Sequence, residues 1–189
     1  MTLNLTKELQ DRGALLDGHF RLSSGRHSNR FIQKFRILED PSILEPVARE
    51  IANSFRESHP TIVLSAAVGG IILGYEVARA LGTKAIFVEK ENGVPTLRRS
   101  FELNKNDRVL VVEDVVTTGG SVKEVLDVVR TAGATPVGVG VIVRRGEADF
   151  GVETHALLDM PIVSYGEREC PQCAAGEAIT DPGSRRNKV

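Results

Sequence analysis

The chain has 189 residues, 41% hydrophobic and 26% charged, which suits one soluble globular domain, with or without a small appendage, that can bury a real core. Its formal net charge is −1, from 24 basic and 25 acidic residues, so no bulk electrostatic pull toward nucleic acid or a membrane surface is expected. No apolar run reaches transmembrane length, the polar start MTLNLTKELQDRG lacks a signal-peptide core, and 5% aromatics without tryptophan argue against a base-stacking platform, so the expected location is the cytoplasm.

Along the chain, Thr2 to Leu16 has helical spacing, interrupted by Gly13. Gly18–Gln33 (GHFRLSSGRHSNRFIQ) alternates partially around central turn residues and reads as strand, turn, strand. Pro41 opens a helix whose Ile43, Leu44, Val47, Ile51 and Phe55 share a face, with Pro46 early enough to be tolerated. From Thr61 the pattern becomes regular. Strands are expected at Thr61–Ala67, Lys84–Lys90, Arg108–Val115 and Pro136–Arg145, and a short last one within THALLDMPIVSYGE. Helices are expected over ILGYEVARALG, closed by Gly82, and SVKEVLDVVRTAG, capped at Ser121 and ended by Gly133. Such alternation implies an α/β fold built from right-handed βαβ units, an open and mostly parallel twisted sheet flanked by helices. TDPGSRRNKV at the C-terminus reads as a frayed tail.

Two segments stand outside the alternation: Gly18–Leu38 before the core, and the long polar insertion Glu91–Asp107 between two strands. Long loops in compact α/β domains are usually functional or disordered, and ligands of open parallel sheets bind at the carboxyl ends of strands, where this loop emerges.

The stretch VLVVEDVVTTGGS (Val109–Ser121) carries the most chemistry. Glu113 and Asp114 fall at the carboxyl end of a strand, and Thr117–Ser121 forms a loop entering a helix N-terminus. That loop offers free backbone N–H groups, the positive end of a helix dipole, and hydroxyl donors, which together suit a phosphate. Two carboxylates beside it would repel the phosphate, so they suit sugar hydroxyls or a developing positive charge. The implied ligand carries a phosphate next to a hydroxylated sugar. The pattern is neither a GxxxxGKS P-loop nor a GxGxxG dinucleotide fingerprint.

At these residues the chain resembles the type I phosphoribosyltransferases, whose motif for 5-phosphoribosyl-1-pyrophosphate (PRPP) is similar to VLVVEDVVTTGGS. Gly18–Gln33 resembles the N-terminal hood of the orotate phosphoribosyltransferases, the segment where members of the superfamily differ. The resemblance spans roughly Gly18 to Gly166 and implies a single domain with a hood at about 1–40, a core at about 41–166 and a tail at about 167–189. It implies transfer of phosphoribosyl from PRPP to orotate, giving orotidine 5′-monophosphate and pyrophosphate in pyrimidine synthesis. By similarity, Glu113 and Asp114 take the ribose 2′- and 3′-hydroxyls. Thr117 to Ser121 (Thr117, Thr118, Gly119, Gly120, Ser121) hold the 5′-phosphate, with Val115 and Val116 completing the motif and Lys90 also binding PRPP. Arg145, beside Arg144, and Thr117 and His27 are the expected orotate ligands, and Phe31 packs on the ring. An arginine fork matches a planar carboxylate bidentately. Ser65–Ile71 falls at the family's pyrophosphate turn. Mg²⁺ is the implied cofactor, held through substrate oxygens rather than by a protein cage.

The chain departs from the family pattern in the mobile loop. FVEKENGVPTLRRSF keeps Lys90 in register, has Glu89 in place of an arginine, and lacks the loop histidine. Arg98 and Arg99 are the expected source of the missing charge, and Asp114, Lys90, Arg98 and Arg99 are the candidate catalytic residues. If this loop acts in trans, the working unit is a homodimer. Cys170 and Cys173, in CPQC, fit half of a zinc site completed across a dimer, or a redox pair. With no second cysteine pair and no histidine nearby in sequence, they read as free thiols near the surface. Two other functions remain open at this point. A purine or uracil phosphoribosyltransferase would need no arginine fork, and a PRPP-sensing regulator that binds nucleic acid would need a basic face or an added helix-turn-helix.

Overall fold

The computed structural model describes residues 4–22, 24–161 and 163–182. The largest unit is a six-stranded sheet of β3 (Ile62–Ala66), β4 (Lys84–Glu91), β5 (Val94–Leu97), β6 (Arg108–Val116), β7 (Thr135–Arg144) and β8 (Thr154–Asp159), in spatial order β5-β4-β3-β6-β7-β8. All neighbours pair in parallel except β4 and β5, which are antiparallel. A second, three-stranded sheet pairs β1 (Leu15–Arg21), β2 (His27–Ile32) and β9 (Ser164–Tyr165) and forms the hood.

β6 lies between β3 and β7, so its apolar run is buried on both faces. Val109 and Val111 pack on one side with Leu64, Val141 and the inner face of α5 (Gly120–Thr131). Leu110 and Val112 point the other way, toward Val63, Ile142, α3 (Pro41–Ser54) and α4 (Gly69–Leu81). The period of two within one strand thus feeds two separate cores. In α3, Ile43, Leu44, Val47, Ala48, Ile51 and Ala52 form the buried stripe, and covering a side chain such as fully buried Ile51 stabilises the fold by about 1.5–3 kcal/mol. Asp40 caps this helix through the Ser42 N–H, and Pro46, in the second turn, leaves it unbroken.

Several expectations change. The first helix, α1, runs only over Leu5–Asp11, because the chain turns at Gly13 and donates from Ala14 back to the Leu9 carbonyl before β1 begins. A one-turn helix, α2 (Phe35–Leu38), follows β2 without having been expected. The insertion after Glu91 is no loose loop over its first half: residues 94–97 fold back on β4 as a hairpin strand. The expected last strand divides, β8 joining the large sheet and β9 the hood. Of the expected frayed tail, residues 183–189 lie outside the described residues, whereas Thr180 is anchored to β1, its N–H donating to the His19 carbonyl at 2.7 Å and its carbonyl accepting from the Arg21 N–H at 2.9 Å.

Candidate active site

The parallel strands β3, β6 and β7 end on one side of the sheet, and the chemistry gathers there. Past Val116 the chain makes its tight turn into α5. The helix cap is Gly119 rather than Ser121, at φ 78°, with no side chain capping the first turn. A β-carbon at 119 would also lie 2.8 Å from Ala148 and from the Phe150 ring, so glycine is required twice over, by conformation and by space. The first N–H groups of α5 therefore point outward without side-chain acceptors, while Thr117, Thr118, Gly120 and Ser121 are exposed. These residues line a cavity of about 270 Å³ together with Glu113, Val115, Val116, Lys90 and Glu124. Lys90 is exposed and pairs with Glu124 at 2.9 Å.

Below this rim sit two buried carboxylates. Glu113 accepts the N–H of Asp114 at 3.1 Å, and burial, followed by the adjacent Asp114 charge, pushes its carboxyl up to about 8. Asp114 is 2% exposed and accepts from the Val115 N–H at 2.7 Å. Its other partner is Lys34, whose ammonium lies 3.1 Å from Oδ1 and 2.8 Å from Oδ2. Gly69, the first residue of α4, lies against the same carboxylate, so the Ser65–Ile71 turn and the acidic pair share one wall. The Ala67–Val68 peptide in that turn is cis, and buried Ser65 Oγ has no hydrogen-bond partner among the described residues.

Arg145 follows β7 and is held by its N–H donating to the Val116 carbonyl at 2.8 Å. Gly146 makes the approach possible, since a β-carbon there would stand 2.6 Å from the Thr117 carbonyl oxygen. The two arginines differ. Arg144 is engaged bidentately by Asp159, at 2.5 and 2.8 Å. Arg145 is half-buried, its Nε has no partner among the described residues, and burial lowers its pKa. Both arginines line a second cavity of about 580 Å³, with Gly146, Glu147, Ala148, Asp149, Asp159 and Pro161. The Thr117 backbone thus separates the phosphate cradle from the Arg145–Gly146 segment that lines the second cavity.

Other expected residues fall elsewhere. Arg99 is bound bidentately by Glu89, at 3.0 and 3.2 Å, and Arg98 faces Glu91 at 3.7 Å, so neither lines the phosphate cavity. Phe31 packs on Phe20 with ring centroids 5.8 Å apart. His27 is corrected: it is 2% exposed and turned inward, its Nδ1 3.3 Å from His19 Nε2 and 3.2 Å from Cys173 Sγ, so it is not presented to either cavity. The expectation of cysteines without a histidine neighbour is corrected with it, since Cys170 is buried and both thiols meet these two histidines. Lys34 is the residue that sequence reasoning missed. A single lysine in FIQKF carries no motif, and only the fold brings it to Asp114.

The chain matches the family model described as phosphoribosyl transferase domain over residues 36–157. It is 52% identical over 179 residues to a protein of Pelotomaculum thermopropionicum named orotate phosphoribosyltransferase, covering 94% of each chain. A protein of the same name from Chlorobaculum parvum is 50% identical over 177 residues, with 93% of this chain and 92% of that one covered. Among solved structures, the orotate phosphoribosyltransferase of Aeropyrum pernix superposes with a TM-score of 0.70 at 30% identity, over 82% of this chain and 93% of that one.

Proposed function

The chain belongs to the orotate phosphoribosyltransferases of the phosphoribosyltransferase family, and from that premise we infer that it transfers the phosphoribosyl group of PRPP to orotate, releasing pyrophosphate and giving orotidine 5′-monophosphate in pyrimidine synthesis. The observation that carries this reading is the meeting of three segments at the ends of β6 and β7: the Thr117–Ser121 phosphate cradle, the Glu113–Asp114 pair and the Arg145 segment bonded to the Val116 carbonyl.

In this reading the 5′-phosphate sits on the N–H groups and hydroxyls of Thr117 to Ser121, at the positive end of α5. The ribose hydroxyls donate to Glu113 and Asp114, and orotate's carboxylate takes the Arg145 fork, with Thr117 between sugar and base. Breaking the anomeric bond leaves positive charge on the ribose ring, and the nearby Asp114 side chain favours that charge. Pyrophosphate departs toward the Ser65–Ile71 turn, where Lys34 supplies a cation, with Lys90 at the edge of the phosphate-loop cavity. Lys34 holds Asp114 in place from the same side.

Mg²⁺ fits this arrangement as a substrate-bound ion. Asp114 is already compensated by Lys34 and the Val115 N–H, and Glu113 is pushed toward its neutral form by burial, so the pair offers no closed anionic cage. Glu113 and Asp114 would hold it indirectly, through the ribose hydroxyls, and when bound it neutralises leaving-group charge.

The working unit in this reading is a homodimer in the cytoplasm. Val68, Ile72 and Tyr75 expose an apolar stripe along α4, with Tyr75 63% exposed, beside the acidic pair. In such a dimer Arg98 and Arg99 would exchange their own-chain partners Glu91 and Glu89 for the pyrophosphate in a partner's cavity. Sedimentation of wild type against Ile72→Lys/Tyr75→Glu tests this, with dissociation expected in the double variant.

The reaction is tested by following orotate absorbance with PRPP and Mg²⁺, with adenine, guanine, hypoxanthine and uracil in parallel. Orotate alone should be consumed, and turnover of another base in its place would overturn the assignment.

A further inference from the structure

The hood and the C-terminal segment meet at four side chains that the transfer reaction does not use. His19 on β1, His27 on β2, and Cys170 and Cys173, one turn apart around the short helix α6 (Pro171–Ala174), bring one ligand atom each within 4.8 Å of one another. The separations are His19 Nε2 to His27 Nδ1, 3.3 Å; His27 Nδ1 to Cys173 Sγ, 3.2 Å; and His19 Nε2 to Cys170 and Cys173 Sγ, 3.4 and 3.6 Å. A tetrahedral zinc ion, with Zn–S of about 2.3 Å and Zn–N of about 2.0–2.1 Å, places nitrogen and sulfur about 3.5 Å apart and two nitrogens about 3.3 Å apart. The observed edges match those of that tetrahedron.

The surroundings support ligation. His19 Nδ1 lies 3.0 Å from the Glu177 carbonyl oxygen, which can only accept, so the proton is on Nδ1 and the Nε2 lone pair faces the cluster. Three of the four residues are buried, and the fourth is half-buried, so water cannot fully solvate the polar atoms. The backbone is fixed independently by the Thr180 bonds to β1 and by Gln172 Nε2 donating to the Gly18 carbonyl at 3.3 Å.

We propose that His19, His27, Cys170 and Cys173 form a structural zinc-class site that clips the C-terminal segment onto the hood. Two thiolates and two imidazoles in a closed tetrahedral set select zinc over hard cations such as Mg²⁺ or Ca²⁺, and four protein ligands leave no open position for catalysis. Cys170 lies 151 residues from His19, so the ion would close a loop spanning most of the chain. The clip would also hold β9 against β2, fixing the hood over the core. This inference is independent of the base that the active site takes.

The test is metal analysis of the untagged full-length protein purified without chelator, followed by Co²⁺ exchange. About one zinc per chain is expected, and the Co²⁺ form should show the intense visible d–d bands of a tetrahedral site and a near-ultraviolet thiolate charge-transfer band. Cys173→Ser and His19→Gln should each weaken zinc retention at least tenfold against a competing chelator and lower the thermal midpoint. If the variants do not fold, the wild-type metal content and cobalt spectrum decide alone. A protein that purifies metal-free, gives octahedral-type cobalt spectra, or carries Cys170 and Cys173 as a disulfide would overturn the proposal.

Discussion

Lys34 places its ammonium 2.8 and 3.1 Å from the two oxygens of Asp114, a carboxylate that is itself 2% exposed, although 80 residues separate them in the chain. The pair joins the segment after β2 of the hood to the end of β6, at the candidate active site. Removing the lysine leaves a buried charge without its cation, whereas removing both charges does not.

Lys34→Met is therefore expected to destabilise the protein by about 1–3 kcal/mol, the range for orphaning one buried partner. Lys34 is partly exposed, which keeps the figure below that of a fully buried pair. Lys34→Met/Asp114→Asn should cost less than the sum of the single changes. Urea denaturation of the four proteins supplies the double-mutant cycle, and strict additivity would show the pair to be uncoupled.

Glu113 should make stability fall as pH rises. Its carboxyl titrates near 8 when folded against an ordinary 4.5, so the folded state holds a proton that the unfolded chain has lost between these values. The favourable contribution is complete below 4.5 and disappears as pH climbs through about 8. Denaturant midpoints of wild type and Glu113→Gln across this window test it. The variant's profile should be flatter, and parallel profiles would place the proton elsewhere.

The close approach at Gly146 gives a third prediction. Gly146→Ala would push a methyl group into the Thr117 carbonyl, separating the Arg145 segment from the phosphate loop. A 10- to 100-fold loss in kcat/KM, about 1.4–2.7 kcal/mol of transition-state stabilisation, is expected with a modest fall in thermal midpoint. Unchanged kinetics would mean that the two loops move independently.

The neighbouring arginines should behave differently. Arg144 makes a largely exposed pair with Asp159, so Arg144→Ala should change stability by less than about 1 kcal/mol and leave orotate binding nearly intact. Arg145→Ala should instead raise the KM for orotate tenfold or more, with little change in the KM for PRPP. Reversed outcomes would assign the fork to Arg144.

Much of this was legible because it is local. A buried central strand announces itself as Val109–Val112, and strand, acidic pair, small polar loop and helix occupy one continuous stretch. The position of Arg145 just past the end of β7 was readable from the strand pattern, whereas its expected role came from the family resemblance. Lys34 was not, since nothing in its neighbours marks it, and the hairpin strand at 94–97 hid in a polar segment whose pairing with β4 satisfies its backbone without an apolar signal. The His19–His27–Cys170–Cys173 cluster was hidden by separation. Its halves lie at opposite ends of the chain and look unrelated until β9 and the C-terminal segment return to the hood. His27 was misplaced for the same reason: its strand position was right, but what covered it came from 146 residues away.

The most direct test of the central claim is steady-state turnover of orotate and PRPP with Mg²⁺ by wild type, Asp114→Asn and Arg145→Ala. The account predicts orotidine 5′-monophosphate from wild type, a fall of at least 100-fold in kcat for Asp114→Asn, and for Arg145→Ala a loss confined to orotate. Full activity in both variants would contradict it, by removing the reaction from the site at the ends of β6 and β7.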